Sequence, residues 1–468
     1  MYSASFFKGK RITVFGLGLN MGGVGTVAFL VENGAREVIV TDIKKRDELG
    51  PSIEKLAKYK NIKYVLGQHR PEDFTRVDMV IKNPVIPWNN DYIKLAQKSK
   101  VPVEMDSSLF FDLCKAPIIG VTGSKGKTTT ASLIAHILES AGRKVVRVGI
   151  SQIGVLSTLR KITPESVVVF ELSSWRLSGL SSVKKSPKIA VLTNIYPDHL
   201  NYYKTLASYM EDKKNIFRFQ KKNDLVVASF DNAHVREMVQ DAPGDVVFVS
   251  GEGPLSDDGV FADEGMLFVR QDGKEKIVFP LDKMPLRGEH NISNVLSAIA
   301  ATLAFGLKLK EIAKGVETFS GVTHRLEMVL EKKGVRFYND SAATIPEASM
   351  AALRSFSDPV ILIAGGSDKR LDFSAFAEEI LAHSKGLVFL KGEATEKLLS
   401  LLREITKAEG QERDFPVVET MEKAVELASR EAEAGDVVLL SPGAASFGLF
   451  KNEFDRGEQF KQAVLSLR

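Results

Sequence analysis

A chain of 468 residues is too long for one ordinary hydrophobic core, so two to four domains are expected. The net charge of +4 comes from lysines scattered among glutamates, which excludes a dedicated nucleic-acid binder with its concentrated basic patch. The one cysteine, Cys114, allows no intrachain disulfide, and no run of about 18 apolar residues is present to span a membrane, so the expectation is a cytoplasmic protein.

The first elements are short apolar strands, RITVFGLG, EVIVTD and VDMVIKN, separated by helical stretches. Continuous apolar strands of this kind form parallel sheets covered on both faces. Gly16 and Gly18, after the first strand, fit the first half of the dinucleotide pattern G-x-G-x-x-G. Met21 stands at its last position, so the NAD pattern is broken. The turn still suits a diphosphate at a helix N-terminus. Asp42, closing EVIVTD, sits where an acid that reads a ribose or a base belongs.

The pattern restarts at Lys115-Ala116-Pro117. The strand APIIGVTG runs into GVTGSKGKTTT and then into a helix. Glycines let this turn fold tightly, so that main-chain N–H groups and the helix N-terminus face a phosphate chain. Lys127 would reach the β- and γ-phosphates, and Thr128 would offer its hydroxyl to Mg²⁺. The strict pattern G-x-x-x-x-G-K-[ST] is not met, because Val121 holds its first position; what is present is T-G-x-x-G-K-T-T. Such a turn needs an acidic metal partner from a neighbouring strand, and SVVVFELSSW ends its apolar run at Glu171. KIAVLTN opens into IYPDHLNYYK, with Asp198 and His199 placed as metal or phosphate ligands, and Lys213 follows on a helix. Gly251 to Gly273 is rich in Gly and Asp and reads as hairpins and loops.

A second restart lies near FSGVTHRLEMV, before GVRFYNDSA, PVILIAGG, GLVFL and DVVLLSPG. The expected fold is α/β in three domains. They are a Rossmann-like domain over 1–115, a P-loop mononucleotide-binding ATPase domain over 116–324, and a second Rossmann-like domain over 325–468. Ligands are expected at the carboxyl ends of the strands.

Seven motifs occur in one order: TGSKGKTTT, FELSSW, TNIYPDHL, MEDKKNIF, LRGEHNISNVLSAIA, GVTHRLE and NDSAAT. Together they resemble the Mur ligase family, the ATP-dependent ligases that build the peptide stem of peptidoglycan, along the whole chain. Folylpolyglutamate synthases share the phosphate turn and general layout but fit the first domain and the NDS motif less well. Within the family, FELSSW, FYNDSAAT and LLSPGAASFGLFKNEFDRGEQF resemble the members that add D-glutamate.

The resemblance implies a peptide-bond-forming ligase with ATP and two Mg²⁺ ions as cofactors. UDP-N-acetylmuramoyl-L-alanine and glutamate are the implied substrates, and a monomer is expected. It assigns ATP to Gly123, Ser124, Lys125, Gly126, Lys127, Thr128 and Thr129, with Asn291 on the adenine side and Arg325 and Asp340 from the last domain. Catalysis and metal binding fall to Lys127, Thr128, Glu171, His199 and a carbamylated Lys213, with Lys214 as the neighbouring alternative. UDP and its sugar fall to Gly16, Gly18, Leu19, Asp42, Lys44, Asn83 and Ser173; the glutamate falls to Lys369, Ser446 and Phe447. Ala342 stands where the family motif has lysine, Gly448 where it has aspartate and Gln152 about where it has asparagine. These departures surround substrate recognition, so a ligase for L-glutamate or another amino acid is the alternative within the family.

Overall fold

The computed structural model describes the chain apart from residues 1, 20, 151, 152, 287, 289, 370, 409, 411–413 and 468, and apart from the side chains of residues 4, 200 and 201. Gln152 therefore lies outside the described residues. Three α/β sheets follow one another along the chain. Two compact units hold them: residues 1–284 with 289–319, and residues 285–288 with 320–468.

The first sheet comprises β1 (Arg11–Phe15), β2 (Glu37–Asp42), β3 (Ile62–Leu66), β4 (Met79–Lys82) and β5 (Val103–Met105). It is parallel throughout, in the order β3-β2-β1-β4-β5. That order reverses direction between β1 and β4, and a crevice opens at the carboxyl ends of two such strands. The turn Gly16–Gly18 follows β1, and Asn83 follows β4, so both flank that crevice. Neither β3 nor β5 stands out in the sequence. β3 is an edge strand with only Val65 buried, and β5 has three residues.

The second sheet carries β6 (Ile118–Thr122), β7 (Lys144–Val148), β8 (Ser166–Glu171), β9 (Ile189–Leu192), β10 (Leu225–Ser229), β11 (Asp245–Ser250), β12 (Gly259–Asp263), β13 (Met266–Gln271) and β14 (Lys274–Pro280). Its order is β14-β13-β12-β11-β10-β9-β6-β8-β7. The hairpin strands β13 and β14 are antiparallel, as the Gly- and Asp-rich composition around them implies, and the rest are parallel. β6 thus lies between β8 and β9, with Val121 level with Glu171 and Thr122 level with Leu192.

One continuous apolar core joins these two sheets, which is why they form a single unit. Phe170 of β8 meets Phe110 edge-on at 5.2 Å and stacks with Phe111 at 5.9 Å, both on the helix that follows β5. On the Met21–Glu32 helix, Gly25 approaches Gly154 so closely that a Cβ there would lie 2.6 Å from the Gly154 Cα.

The last unit is built on β15 (Glu327–Lys332), β16 (Val335–Asn339), β17 (Val360–Ala364), β18 (Gly386–Leu390), β19 (Val417–Val418) and β20 (Val437–Leu440). Their order is β15-β16-β20-β17-β18-β19, and only β15 is antiparallel to its neighbour. Fully buried runs such as VILIA in β17 and VVLL in β20 form the centre of this sheet. Among the described residues, no helix is long and apolar enough to cross a membrane.

Candidate active site

The phosphate turn leaves β6 and enters the Lys127–Ser140 helix through Gly123, at φ +153°, and Gly126, at φ +81°. Both backbones favour glycine. A side chain would also collide: a Cβ on Gly123 meets the Thr193 hydroxyl, and one on Gly126 meets the Asn294 amide. The segment after β9 laces the turn in place. Ser124 N donates to Asn194 O at 2.8 Å, Lys125 N to Asn194 Oδ1 at 2.8 Å, and the Thr193 hydroxyl to Lys125 O at 2.7 Å. Behind the turn, the Thr130 hydroxyl donates to Asn294 Oδ1 at 3.1 Å and Asn294 Nδ2 donates to Asn291 Oδ1 at 2.9 Å. Asn291 therefore belongs to a buried amide chain that ties its helix to the one carrying Lys127, Thr128 and Thr129.

Two lysines converge on the turn. Lys127 Nζ donates to Gly123 O and Ser124 O, each at 2.9 Å. Lys213 Nζ donates to Gly123 O at 2.9 Å and to the Thr122 hydroxyl at 3.0 Å. Lys213 is 1% exposed. Burial drives its ammonium well below the ordinary lysine range; Lys127 adds to that shift, and Asp198 and Glu171 oppose it. Lys214 points elsewhere and pairs with Asp241 at 3.1 Å.

Glu171 closes β8 on one side of the turn, and the segment from β9 carries His199 on the other. His199 adopts a left-handed backbone, φ +53°, and its ring lies 4.5 Å from that of Trp175. Burial holds its imidazole below the ordinary value, Lys127, Lys213 and Lys125 act in the same direction, and Asp198 opposes them. The Thr128 hydroxyl, the Glu171 carboxylate at its strand end and the His199 imidazole are the groups around this turn that could hold Mg²⁺, which takes few protein ligands and completes its shell with phosphate oxygens and water. Among the described residues, no cluster of three or more His, Cys, Asp or Glu forms a metal cage.

At the switch point of the first sheet is a cavity of about 700 Å³. All seven residues expected at UDP and its sugar line it: Gly16, Gly18, Leu19, Asp42, Lys44, Asn83 and Ser173. Asp42 braces the wall, accepting from Gly18 N through Oδ2 and from Lys44 N through Oδ1, both at 3.0 Å. Ser173 caps the Ser174–Ser178 helix, accepting from Arg176 N at 3.3 Å. His69, Asp106, Trp175 and Arg176 also line the cavity and were not singled out from the sequence. His69 follows the unrecognised β3, whose carboxyl end would have marked it. Its Nδ1 and the Thr41 hydroxyl are 2.7 Å apart. Asp106 opens the helix after β5 and Arg176 sits in the helix after β8; they meet in space, with Nη2 to Oδ2 at 3.1 Å.

The last unit gathers its expected residues in two places. Asp340 follows β16 and is buried; it accepts from Leu326 N at 3.2 Å and from the Ser441 hydroxyl at 2.7 Å. This puts it beside Arg325, whose charge acts on it. Burial pushes its carboxyl up to about 7. The loops carrying Lys369 and Ser446 are zipped together by Ser367 and Ala445, whose main chains exchange hydrogen bonds of 2.9 and 3.1 Å. The Ser367 hydroxyl donates to the carbonyl of Phe447, whose ring is exposed. Lys369 Nζ donates to the Thr344 hydroxyl at 3.1 Å, two residues beyond Ala342. Arg456 is fully buried in the last helix and had no sequence signal of its own. Its guanidinium donates to Ser341 Oγ at 3.0 Å, to Ser341 O at 2.9 Å and to Ala444 O at 3.1 Å, joining both places.

Comparison with known proteins matches three successive stretches to family models. These are a Mur ligase, MurD-like N-terminal domain over 10–104, a Mur ligase middle domain over 121–302, and a Mur ligase glutamate ligase domain over 324–443. The UDP-N-acetylmuramoylalanine–D-glutamate ligase of Roseiflexus sp. (strain RS-1) is 44% identical over 465 residues, covering 98% of this chain and 99% of that protein. The enzyme of the same name from Acetivibrio thermocellus is 38% identical over 464 residues, with coverages of 98% and 97%. Among solved structures, the UDP-N-acetylmuramate–alanine ligase of Thermotoga maritima has a TM-score of 0.60 at 19% identity, covering 98% of this chain and 99% of that one, which is a likeness of fold. With relatives of that identity along nearly its whole length, the chain belongs to the Mur ligase family, in the branch of the UDP-N-acetylmuramoylalanine–D-glutamate ligases.

Proposed function

We propose that this protein adds D-glutamate to UDP-N-acetylmuramoyl-L-alanine, with hydrolysis of ATP to ADP and phosphate, as a cytoplasmic step of peptidoglycan precursor synthesis. Full-length identity to ligases of that name supports the substrates. The observation that carries the chemistry is the pair of lysines on the Gly123 carbonyl, with Glu171 and His199 reached from the strands on either side of β6.

The alanyl carboxylate attacks the γ-phosphorus of ATP; the β–γ bridging bond breaks, ADP leaves and an acyl phosphate forms. The amine of glutamate then attacks the acyl carbon, and phosphate leaves as the peptide bond closes and the amine gives up a proton. Phosphoryl transfer depends on positioning and charge neutralisation more than on covalent help from the protein. Lys127 neutralises the β- and γ-phosphates, and the glycine turn aligns them. Thr128, Glu171, His199 and a carbamylated Lys213 would hold two Mg²⁺ ions, which supply charge neutralisation between phosphates and carboxylate. Lys213 suits carbamylation because the neutral amine is the form that reacts with CO₂, and burial favours that form. Lys214, paired with Asp241, is less suited.

The domain over 1–115 is assigned the UDP-sugar through the cavity residues, and the domain over 116–324 the ATP turn. The domain over 325–468 is assigned Arg325 and Asp340 for ATP, with Lys369, Ser446 and Phe447 for glutamate. Phosphate release with ATP, Mg²⁺ and UDP-N-acetylmuramoyl-L-alanine, against a panel of amino acids, tests the assignment. Release with D-glutamate alone is expected. Release with L-glutamate or another amine would keep the ligase and replace its acceptor.

A further inference from the structure

Under the wall of the first-sheet cavity lies a lysine to which no role above applies. Lys82 is the last residue of β4 and is 1% exposed. An ammonium is costly to remove from water unless its protons are bonded. Here they go to main chain: Nζ donates to Ile86 O at 2.8 Å and, at longer range, to Pro84 O at 3.5 Å. The same ammonium lies 4.5 Å over the Trp88 ring, a cation–π distance. Burial pushes it down to about 7, against the charges of Asp106 and Asp212.

Pro84, Ile86 and Trp88 belong to one loop. Pro84 and Ile86 line the cavity, together with Asn83 and Val85. The loop is pressed on the glycine turn. Asn83 N donates to Phe15 O at 2.8 Å, and a Cβ on Gly16, which has φ +89°, would lie 3.0 Å from Asn83 Cβ and 3.1 Å from Ile86 Cδ1. At its far end, Trp88 Nε1 donates at 2.9 Å to the hydroxyl of Ser178. Ser178 ends the short helix that carries Trp175 and Arg176 into the opposite wall. One buried amine thus meets three alternate residues of one loop, two of them in the cavity wall, and the loop's far end is tied to the Ser174–Ser178 helix.

We propose that Lys82 is a positioning residue for the UDP-sugar: it holds the 83–88 loop against the glycine turn and the Ser174–Ser178 helix, so that the cavity is shaped before substrate arrives. Preorganisation of this kind lowers the cost of binding and leaves the chemical step alone. The proposal rests on reading the cavity as the UDP-sugar site.

The test uses the full chain, with UDP and ATP as separate titrants and steady-state kinetics beside them. The variants are Lys82→Met, which keeps the length of the side chain and removes its donors, and Ser178→Ala, which removes the far anchor. With the Pro84 and Ile86 carbonyls deprived of their shared donor, Lys82→Met is expected to weaken UDP binding and raise KM for UDP-N-acetylmuramoyl-L-alanine by about tenfold or more. Ser178→Ala should do so by about threefold. ATP affinity should hold and kcat should stay within about twofold in both. Of the chain's two tryptophans, Trp175 lines this cavity and Trp88 lies under the Lys82 ammonium, and their emission should shift to the red in Lys82→Met without ligand. Unchanged UDP affinity in both variants would overturn the proposal. So would equal losses of UDP and ATP binding, or failure of Lys82→Met to fold, because either makes Lys82 a general stability residue. Wild-type protein that binds ATP but no UDP would remove the cavity reading, and the proposal with it; wild-type UDP binding that both variants retain removes the proposal alone.

Discussion

Lys127 and Lys213 are 86 positions apart in the chain and donate to the same acceptor, the carbonyl of Gly123, each at 2.9 Å. One carbonyl can accept from two donors, but two ammonium groups that close repel. Burial first, and then the charge of Lys127, disfavour the ammonium form of Lys213. This relationship sets Lys213 apart from its neighbour Lys214, whose ammonium pairs with Asp241, and it supports the proposal that Lys213 is the reactive amine.

Lys213→Ala is therefore expected to lower turnover by at least about 10²-fold, the scale on which one charge-stabilising group is felt. A small carboxylic acid in the assay should restore part of it. Lys214→Ala should keep near-normal turnover. Steady-state phosphate release for the two variants checks this, and full activity in Lys213→Ala would move the carbamate elsewhere.

Gly126→Ala places a Cβ on a backbone at φ +81° and into the Asn294 side chain. It should lower stability by about 1 kcal/mol or more and weaken ATP binding, because the helix N-terminus must shift. UDP binding, at the first sheet, should be retained. Calorimetric titration with both nucleotides distinguishes a local effect from a general one.

Arg456 holds Ser341 and Ala444 from within the core of the last unit. Arg456→Met leaves three acceptors without their donor, at about 1–3 kcal/mol for each buried group left unsatisfied. A lower unfolding temperature and a raised KM for glutamate are expected together, since Ala444 stands two residues before Ser446, which is assigned to glutamate. A stable variant with unchanged glutamate kinetics would show that the brace is dispensable.

Asp340 gives a pH dependence with a definite sign. Its ordinary value is 3.8, and burial raises it to about 7 in the folded chain. Between those values the folded state holds more protons than the unfolded one, so stability falls as pH rises through the window and levels off above it. Wild-type protein should lose unfolding temperature from pH 5 to pH 8, in steps of about one pH unit. Asp340→Asn should show a smaller loss over the same range, because its amide does not titrate. A parallel profile for the two proteins would place the titration on another group.

Much of the candidate site was legible in the chain. TGSKGKTTT announces a tight strand-to-helix turn because its glycines can take the positive φ that Gly123 and Gly126 adopt, and Glu171 is marked by its place at the end of an apolar strand. Asp42 was readable for the same reason, as the last residue of EVIVTD. His69 was not, because β3 is an exposed edge strand whose alternation is too weak to reveal where it ends. Arg456 and Lys82 look like ordinary surface cations in sequence; burial alone distinguishes them.

Local sequence by itself determined the central apolar strands, though not β3 or β5, together with the glycine turns and hence the family, since these depend on spacing and backbone freedom over a few residues. Tertiary structure alone decided which strand ends become neighbours. The order β9-β6-β8 brings Glu171 and the His199 segment to either side of one turn, and the reversal between β1 and β4 opens the cavity. It also placed Lys213 and Lys214 in different surroundings. Adjacent residues on a helix point about 100° apart, so one enters the core and the other meets Asp241 at the surface. The reason is common to both: pairing and burial are set by contacts between residues far apart in the chain, and no short window of sequence contains both partners.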